Sequence, residues 1–166
     1  MITLIIGKES NLSKYLHKYL NNSFVLSSRE ISKNIFLLDE YKSSKCNIIF
    51  NNFQTANLLG NLNNCSSYIE QSIGITAKIL EYIKDWDINK IIYTSSSSVY
   101  GDNHYCNESD KLLPINLHGS LKVSNEYFIS QYCKEKEIDY TITRIFNMYG
   151  GDDNFSIISK IINSYK

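Results

Sequence analysis

The sequence predicts an α/β domain with a doubly wound parallel sheet and helices on both of its faces. Three features predict it: short apolar runs rich in β-branched residues, longer stretches with apolar residues at helical spacing, and the alternation of the two along the chain. Such elements pack as a parallel sheet because right-handed crossovers bring the intervening helices onto it. The 166 residues and 43% hydrophobic content suffice for one core, so we expect a single domain over 1–166.

Five apolar runs are predicted to form the strands. The first covers residues 2–6 and ends at Gly7, and its continuous apolar character is typical of a strand buried on both faces. The remaining predicted strands cover residues 24–26, 47–50, 90–94 and 140–146. Ligands of a parallel sheet bind at the carboxyl ends of its strands, so the residues that follow these runs are the candidates for a site.

Helical spacing of apolar residues occurs in four stretches. The predicted helices cover residues 12–20, 68–84, 117–135 and 156–165. Ser10 or Asn11 is the expected N-cap of the first, because both residue types accept hydrogen bonds from first-turn amides. In the third helix, the side chains expected to face the core are Leu121, Tyr127, Phe128 and Tyr132. The segment between the second and third strands has no clear pattern.

The composition excludes several classes of partner. The 17 basic residues balance 17 acidic ones without a basic run, which argues against nucleic acid and anionic membranes and favours a small-molecule ligand. The apolar start is too short for a signal peptide or a membrane span, so we expect a cytoplasmic location. The 4 cysteines contain no Cys-x-x-Cys pair, so they predict reduced thiols and no metal site.

The strongest local motif covers residues 91–101, where a buried strand continues into four serines. A hydroxyl at the carboxyl end of a strand can enter the ligand crevice and bind a substrate oxygen, and Ser96 is the candidate. The alternative is that these serines only form the turn, which is the commoner role of serine after a strand.

Strand-Ser-Ser-Ser-x-x-Val-Tyr-Gly resembles the active-site segment of the NAD-dependent epimerase/dehydratase group of extended short-chain dehydrogenases. Residues 138–150 resemble the same family's strand and Arg-x-Phe-Asn-x-Tyr-Gly turn, and residues 114–126 its Tyr-x-x-x-Lys helix. The resemblance implies a Rossmann-like fold, NAD or NADP as cofactor, a nucleotide-sugar substrate and a role in polysaccharide biosynthesis. It assigns Ser96 and Lys122 to the catalytic set, and it places Ser97, Tyr100 and Asn147 at the substrate.

The catalytic tyrosine of that family is replaced here by His118. A tyrosine near a lysine has a lowered pKa and exchanges a proton with the substrate hydroxyl, whereas histidine begins near 6.5 and Lys122 favours its neutral form. At neutral pH His118 is then a base but a poor proton donor, so we expect impaired activity. The alternative is that His118 is a polar residue at a helix start with no catalytic role.

The cofactor loop also departs from the resemblance. The family has Gly-x-x-Gly-x-x-Gly here, and only Gly7 remains, with Ser10 and Ser13 at the other two positions, so we expect weakened or lost binding. The residues assigned to the cofactor are Gly7, Ser10, Asn11, Leu12, Arg29, Asn51 and Lys122. Arg29 favours NADP over NAD because a guanidinium can pair with a 2′-phosphate, and the alternative is an ordinary solvated arginine.

Further departures concern Phe53, where the family has a small residue beside the cofactor, and Ser72, where an asparagine supports proton transfer. From the resemblance we also expect this sequence not to include the C-terminal substrate-binding portion of the family. Two hypotheses follow: an NAD(P)-dependent epimerase, dehydratase or reductase with impaired activity, or a catalytically silent Rossmann-fold domain that is a remnant or binds a partner. By resemblance, a homodimer forms through the two long helices over 68–84 and 117–135.

Overall fold

The computed structural model describes residues 1–51, 64–151, 153–154 and 156–165. Within these residues, all the strands belong to one parallel sheet of order β2-β1-β3-β4-β5. The strands are β1 (Ile2–Ile6), β2 (Ser23–Leu26), β3 (Cys46–Phe50), β4 (Ile88–Ser96) and β5 (Asp139–Ile145). The predicted doubly wound parallel sheet is therefore confirmed, and each predicted strand is present.

The helices alternate with these strands. They are α1 (Asn11–Tyr19), α2 (Ser28–Lys33), α3 (Cys65–Ile69), α4 (Ile75–Tyr82), α5 (Leu117–Glu135) and α6 (Ile157–Ser164). A 3₁₀ helix over Ile35–Tyr41 follows α2, and neither element was predicted, because both are too short to show a helical period. No helix in the described part of the chain is long and apolar enough to cross a membrane.

One predicted helix differs in its internal geometry. The helix expected over 68–84 begins earlier, at Cys65, and its α-helical parts α3 and α4 are joined by a π-helical turn over Glu70–Gly74. Ser72 is buried in this turn, where its carbonyl accepts a hydrogen bond from Thr76 Oγ1 (2.9 Å). Its hydroxyl accepts one from Asn125 Nδ2 of α5 (2.8 Å), so the π turn is fastened to α5. Phe53 lies outside the described residues.

The core lies between one face of the sheet and the helices that cover it. Alternate residues of the central strands meet apolar residues of α4 and α5 in one cluster, which includes Ile6, Phe50, Tyr93, Ile79 and Ile129. Right-handed crossovers require α1, which leads from β1 to β2, to cover the opposite face from α4 and α5. Helices therefore cover both faces, as predicted.

The prediction that Tyr127 and Phe128 face the core is wrong. Their exposed fractions are 62% and 36%, although Leu121 is buried as expected. The buried face of α5 comprises Gly119, Leu121, Lys122, Asn125, Glu126, Ile129 and Cys133. Because Lys122, Asn125 and Glu126 are polar, the apolar pattern of α5 does not mark its buried face, and those buried polar groups indicate a site.

Candidate functional site

The carboxyl edge of the sheet contains the point where the strand order reverses. From β1 the chain moves to β2 on one side, and it returns to β3 on the other side of β1. Gly7 follows β1 and Asn51 follows β3, and the Asn51 amide donates to the Ile6 carbonyl (2.7 Å). Ligands of doubly wound sheets bind in the crevice at this reversal, so both residues lie where a ligand is expected.

The loop between β1 and α1 uses its own amides internally: those of Gly7 and Lys8 donate to the Leu26 carbonyl, and that of Ser10 donates to the Gly7 carbonyl. Gly7 has a φ of 127°, a conformation that glycine adopts without steric cost, and the chain turns there towards the helix. Ser10 is the N-cap of α1 but makes no side-chain cap hydrogen bond, and no acidic residue stands in the first turn. The amides at the start of α1, beginning with Asn11 and Leu12, therefore suit an anion such as the pyrophosphate of a dinucleotide.

Asn51 fixes this loop by a small polar cluster. Its Nδ2 donates to Ser13 Oγ (2.7 Å) and to Ser10 Oγ (3.1 Å), and its Oδ1 accepts from Thr94 Oγ1 (2.9 Å). Asn51 and Ser13 are both fully buried. Ser10 and Ser13 are thus both hydrogen-bonded to the residue that follows β3. Of the two, only Ser10 is partly exposed.

Arg29 lies beside the same edge. It stands in the first turn of α2, directly after β2, and its side chain is exposed. Ser27 caps this helix by accepting a hydrogen bond from the Glu30 amide (3.3 Å). Since β2 pairs with β1 and stands at the end of the strand order, Arg29 lies one strand away from the Gly7 loop, at that edge of the sheet.

The serine turn, defined as the 3₁₀ helix over Ser97–Tyr100, follows β4. Ser96 is its N-cap in an extended conformation, and its Oγ accepts hydrogen bonds from the Ser98 amide (3.2 Å) and the Ser98 hydroxyl (2.9 Å). With both bonds accepted, the Ser96 hydroxyl hydrogen is directed to another acceptor. Ser96 and Ser97 are both partly exposed, so each can meet a ligand.

Helix α5 begins against the serine turn because residue 119 is glycine. A Cβ there would stand 2.6 Å from the Ser98 carbonyl oxygen and 2.9 Å from Pro114 Cβ. The Asn116 side chain caps the helix by accepting from the Gly119 amide (2.8 Å). This close approach brings His118 beside the turn, where burial first and the Lys122 charge second lower the pKa of its imidazole below 6.5.

Lys122 reaches the carboxyl end of β4 from the same helix. It is buried, its Nζ donates to the Thr94 carbonyl (2.7 Å), and the ammonium lies 4.8 Å from the centre of the Tyr93 ring. Burial lowers the pKa of Lys122 to about 8, partly opposed by the charge of Glu126. The structure therefore brings Ser96, His118 and Lys122 together at the end of one strand.

Tyr100, the last residue of the serine turn, is buried and its hydroxyl accepts a hydrogen bond from Arg144 Nη1 (2.8 Å). Arg144 is also paired with Glu126, a buried carboxylate of α5. Neither Arg144 nor Glu126 was assigned a role from the sequence, because α5 and β5 contain other polar and charged residues and no local pattern singles these two out.

The segment after β5 crosses the carboxyl edge. Gly151 lies against Tyr15 of α1, whose ring and hydroxyl occupy the place where a Cβ of residue 151 would stand. Between β5 and β1 lie β4 and β3, so the chain crosses three strand spacings, or roughly 14 Å. Asn147 and its neighbours lie in this crossing, and Asn147 is exposed. The predicted substrate residue thus belongs to a segment that spans the crevice.

Fold and site define a doubly wound α/β domain with a ligand crevice at the strand reversal and a Ser-His-Lys set beside it. Comparison with protein families gives the same result: the model of the NAD dependent epimerase/dehydratase family matches residues 11–166. The chain belongs to this family.

Curated relatives and solved structures agree with this assignment. An uncharacterized protein of Methanocaldococcus jannaschii is 31% identical over 141 residues, which are 83% of this chain and 43% of the relative. The UDP-glucuronic acid 4-epimerase of Bacillus cereus, solved with UDP-glucuronic acid and NAD, superimposes with a TM-score of 0.78 at 20% identity, covering 99% of this chain and 63% of that one. RMD from Pseudomonas aeruginosa, solved with NADPH, gives 0.80 at 18%, covering 99% and 61%. The chain thus spans less than two thirds of each.

Proposed function

We propose that this chain binds NAD or NADP at the strand reversal and takes part in an epimerase, dehydratase or reductase reaction on a nucleotide sugar, with impaired proton transfer. The observation that supports it best is the convergence of Ser96, His118 and Lys122 at the carboxyl end of β4, beside the Gly7 loop. The family, whose solved members include complexes with NAD and with NADPH, supports a nicotinamide cofactor.

For the cofactor, the backbone amides of Asn11 and Leu12 would hold the pyrophosphate, beside the turn that Gly7 and Ser10 form and that Asn51 braces. Arg29 would meet the 2′-phosphate, which favours NADP over NAD. Lys122 would hold the nicotinamide ribose. The bound cofactor supplies the hydride acceptor and donor.

For the substrate, Ser96 donates its hydroxyl to the reacting oxygen, and Ser97 and Asn147 form contacts with the sugar nucleotide. Tyr100 is the third residue assigned to the sugar nucleotide, although its side chain is buried and its hydroxyl is bonded to Arg144. The neutral His118 imidazole accepts the substrate hydroxyl proton, because its lowered pKa leaves it unprotonated at neutral pH. The same lowered pKa makes it a poor donor in the reverse step. We therefore expect one direction of the redox step to be favoured and overall turnover to be low.

The second candidate is a catalytically silent domain that is a remnant or binds a partner. The replacement of a tyrosine by His118 favours it, because the lowered pKa of His118 leaves that residue without a proton to donate at neutral pH. Titration with NADPH and NADH, followed by nucleotide fluorescence, separates the two. A saturable signal supports the first candidate, and none at millimolar nucleotide supports the second.

Substitution of His118 by tyrosine tests the proton step directly. In a protein that binds the cofactor, His118→Tyr should raise the rate of hydride exchange with a UDP-sugar, because the phenol can both accept and donate the proton. An unchanged rate in a variant that still binds NADPH would count against a proton-transfer role for residue 118.

We also propose that the protein works as a homodimer in the cytoplasm, in polysaccharide biosynthesis. The exposed Tyr127 and Phe128 on α5 supply an apolar surface of the kind that long helices bury in dimers. Light scattering at increasing concentration should give twice the monomer mass, and Tyr127→Glu should return it to the monomer. A monomer at high concentration would remove the proposal.

A further inference from the structure

The serine turn is fastened on both sides to one buried ion pair. Immediately before its N-cap, Ser95 donates its hydroxyl to Glu126 Oε1, and at its end Tyr100 accepts a hydrogen bond from Arg144 Nη1 (2.8 Å). Glu126 and Arg144 are themselves paired. Ser96 and its neighbours in the turn therefore lie between two attachments to the same pair of charges.

The ion pair uses the planar shape of the guanidinium. Arg144 Nε donates to both oxygens of Glu126 (3.2 Å each), and Nη2 donates to Oε2 (2.9 Å). Nη1 donates to the Tyr100 hydroxyl and to the Glu108 carbonyl (2.9 Å), so the loop after the turn is attached as well. The rigid fork of arginine makes all these bonds at once, which a lysine cannot do.

Stability alone does not account for this arrangement. The two side chains are only 6% and 19% exposed, and the loss of hydration on burying such a pair offsets much of its attraction. Apolar residues of similar volume are often as stabilising in such places. What apolar residues cannot supply is a fixed direction for the Ser95 and Tyr100 hydroxyls, because only directional hydrogen bonds set that direction.

The pair also stands on the helix that supplies the rest of the candidate site. Glu126 lies one turn of α5 beyond Lys122 and two turns beyond His118, and Arg144 lies on β5, next to β4. We propose that Glu126 and Arg144 are positioning residues, which fix the serine turn to α5 and so set Ser96 against His118 and Lys122. Their catalytic value rests on the proposed function, whereas their effect on the turn does not.

Amide hydrogen exchange by NMR tests the effect on the turn without any ligand. Glu126→Gln keeps the shape of the side chain and removes its charge, and Arg144→Lys keeps the charge and removes the fork. In both, we expect the amides of residues 97–101 to exchange on the order of tenfold faster than in the wild type, while amides of β1 change less. Asp87→Asn, which removes the partner of an exposed ion pair with Lys45, is the matched control and should leave the turn unchanged.

A double variant, Glu126→Met with Arg144→Met, covers the case in which the single changes unfold the chain. It should fold, because it leaves no unpaired charge, yet show the same faster exchange over 97–101. Unchanged exchange in the turn of a folded variant, or an equal acceleration throughout the protein, would overturn the proposal.

The functional consequence has its own measurement. In a protein that binds NADPH, Glu126→Gln should lower kcat about tenfold or more and change the NADPH Kd less than twofold, because the cofactor loop is not attached to the pair. A fall in affinity with kcat preserved would contradict the positioning role. If the wild type binds no nucleotide, the proposed function fails while the exchange result still decides whether the pair holds the turn.

Discussion

Single residues at the carboxyl edge of the sheet are held in place by polar contacts. The Nδ2 of Asn51 donates hydrogen bonds to the hydroxyls of both Ser10 and Ser13. Ser13 is therefore accommodated in a fully buried position because its polar atom has a partner there. At the other half of the site, burial and the charge of Lys122 lower the pKa of His118 and so favour its neutral form.

The pH dependence of stability tests the environment of His118. Because burial lowers the pKa of His118 in the folded state below its ordinary 6.5, the unfolded chain binds the proton more readily. The stability from the neutral imidazole is present above pH 6.5 and is lost as the pH falls through and below that value. Relative to His118→Gln, the wild type should lose unfolding free energy between pH 7.5 and 5 in urea titrations. Parallel pH profiles of the two proteins would contradict this environment.

The cluster around Asn51 makes a second prediction. Asn51→Ala removes the partner of the buried Ser13 hydroxyl, so the unfolding free energy should fall by about 2 kcal/mol. Asn47→Ala, which removes only an exposed bond with Asn89, is the control and should change it by less than about 0.5 kcal/mol. Equal effects of the two changes in chemical denaturation would argue against a structural role of the cluster.

At the scale of secondary structure, the close approach of α5 to the sheet positions the candidate site. Gly119 permits contact between α5 and the serine turn, whereas Gly74 at the end of the π turn has only ordinary contacts around its missing Cβ, the nearest at 3.6 Å. Both glycines lie in helical segments, but only at Gly119 would a side chain clash with its neighbours.

Substitution of each glycine by alanine tests this difference in the space around the two positions. Gly119→Ala should destabilise the protein by about 2 kcal/mol, because the new methyl group meets the Ser98 carbonyl and Pro114. Gly74→Ala should stabilise it by up to about 1 kcal/mol, because alanine is the better helix former and has room. Thermal unfolding of the two variants measures both signs. Stabilisation by Gly119→Ala would show that α5 does not need this contact.

The sequence predicted these elements unevenly, for physical reasons. The strands are continuous apolar runs, and their buried faces follow from the period of two, so the sheet could be predicted from them. The buried face of α5 could not, because Lys122, Asn125 and Glu126 are buried there as members of polar contacts that form only in the folded chain. Because polar residues occupy the buried face of α5, the apolar Tyr127 and Phe128 were wrongly predicted to face the core. The π turn is hydrogen-bonded through Ser72 to Asn125 of another helix, a contact that no local sequence pattern records.

For the whole molecule, the site is assembled from segments far apart in sequence at one edge of the sheet. The motifs around Ser96 and Lys122 predicted one shared site, and Lys122 bonds the Thr94 carbonyl, two residues before Ser96. The pairing of Glu126 with Arg144 joins a helix to a strand, so it depends on tertiary packing. The segment through Asn147 returns across this edge to Tyr15, so a ligand in the crevice would lie beneath it.

The central claim is that a dinucleotide binds at the strand reversal, and chemical-shift mapping with NADPH tests it most directly. Backbone amide signals of Gly7, of residues 10–12 and of Ser96 should shift and saturate together, while signals of α6 stay unchanged. Gly7→Val should abolish these shifts and leave the remaining spectrum that of a folded protein, because valine cannot adopt the φ of 127°. Saturable shifts confined to another surface, or none at millimolar NADPH, would contradict the claim.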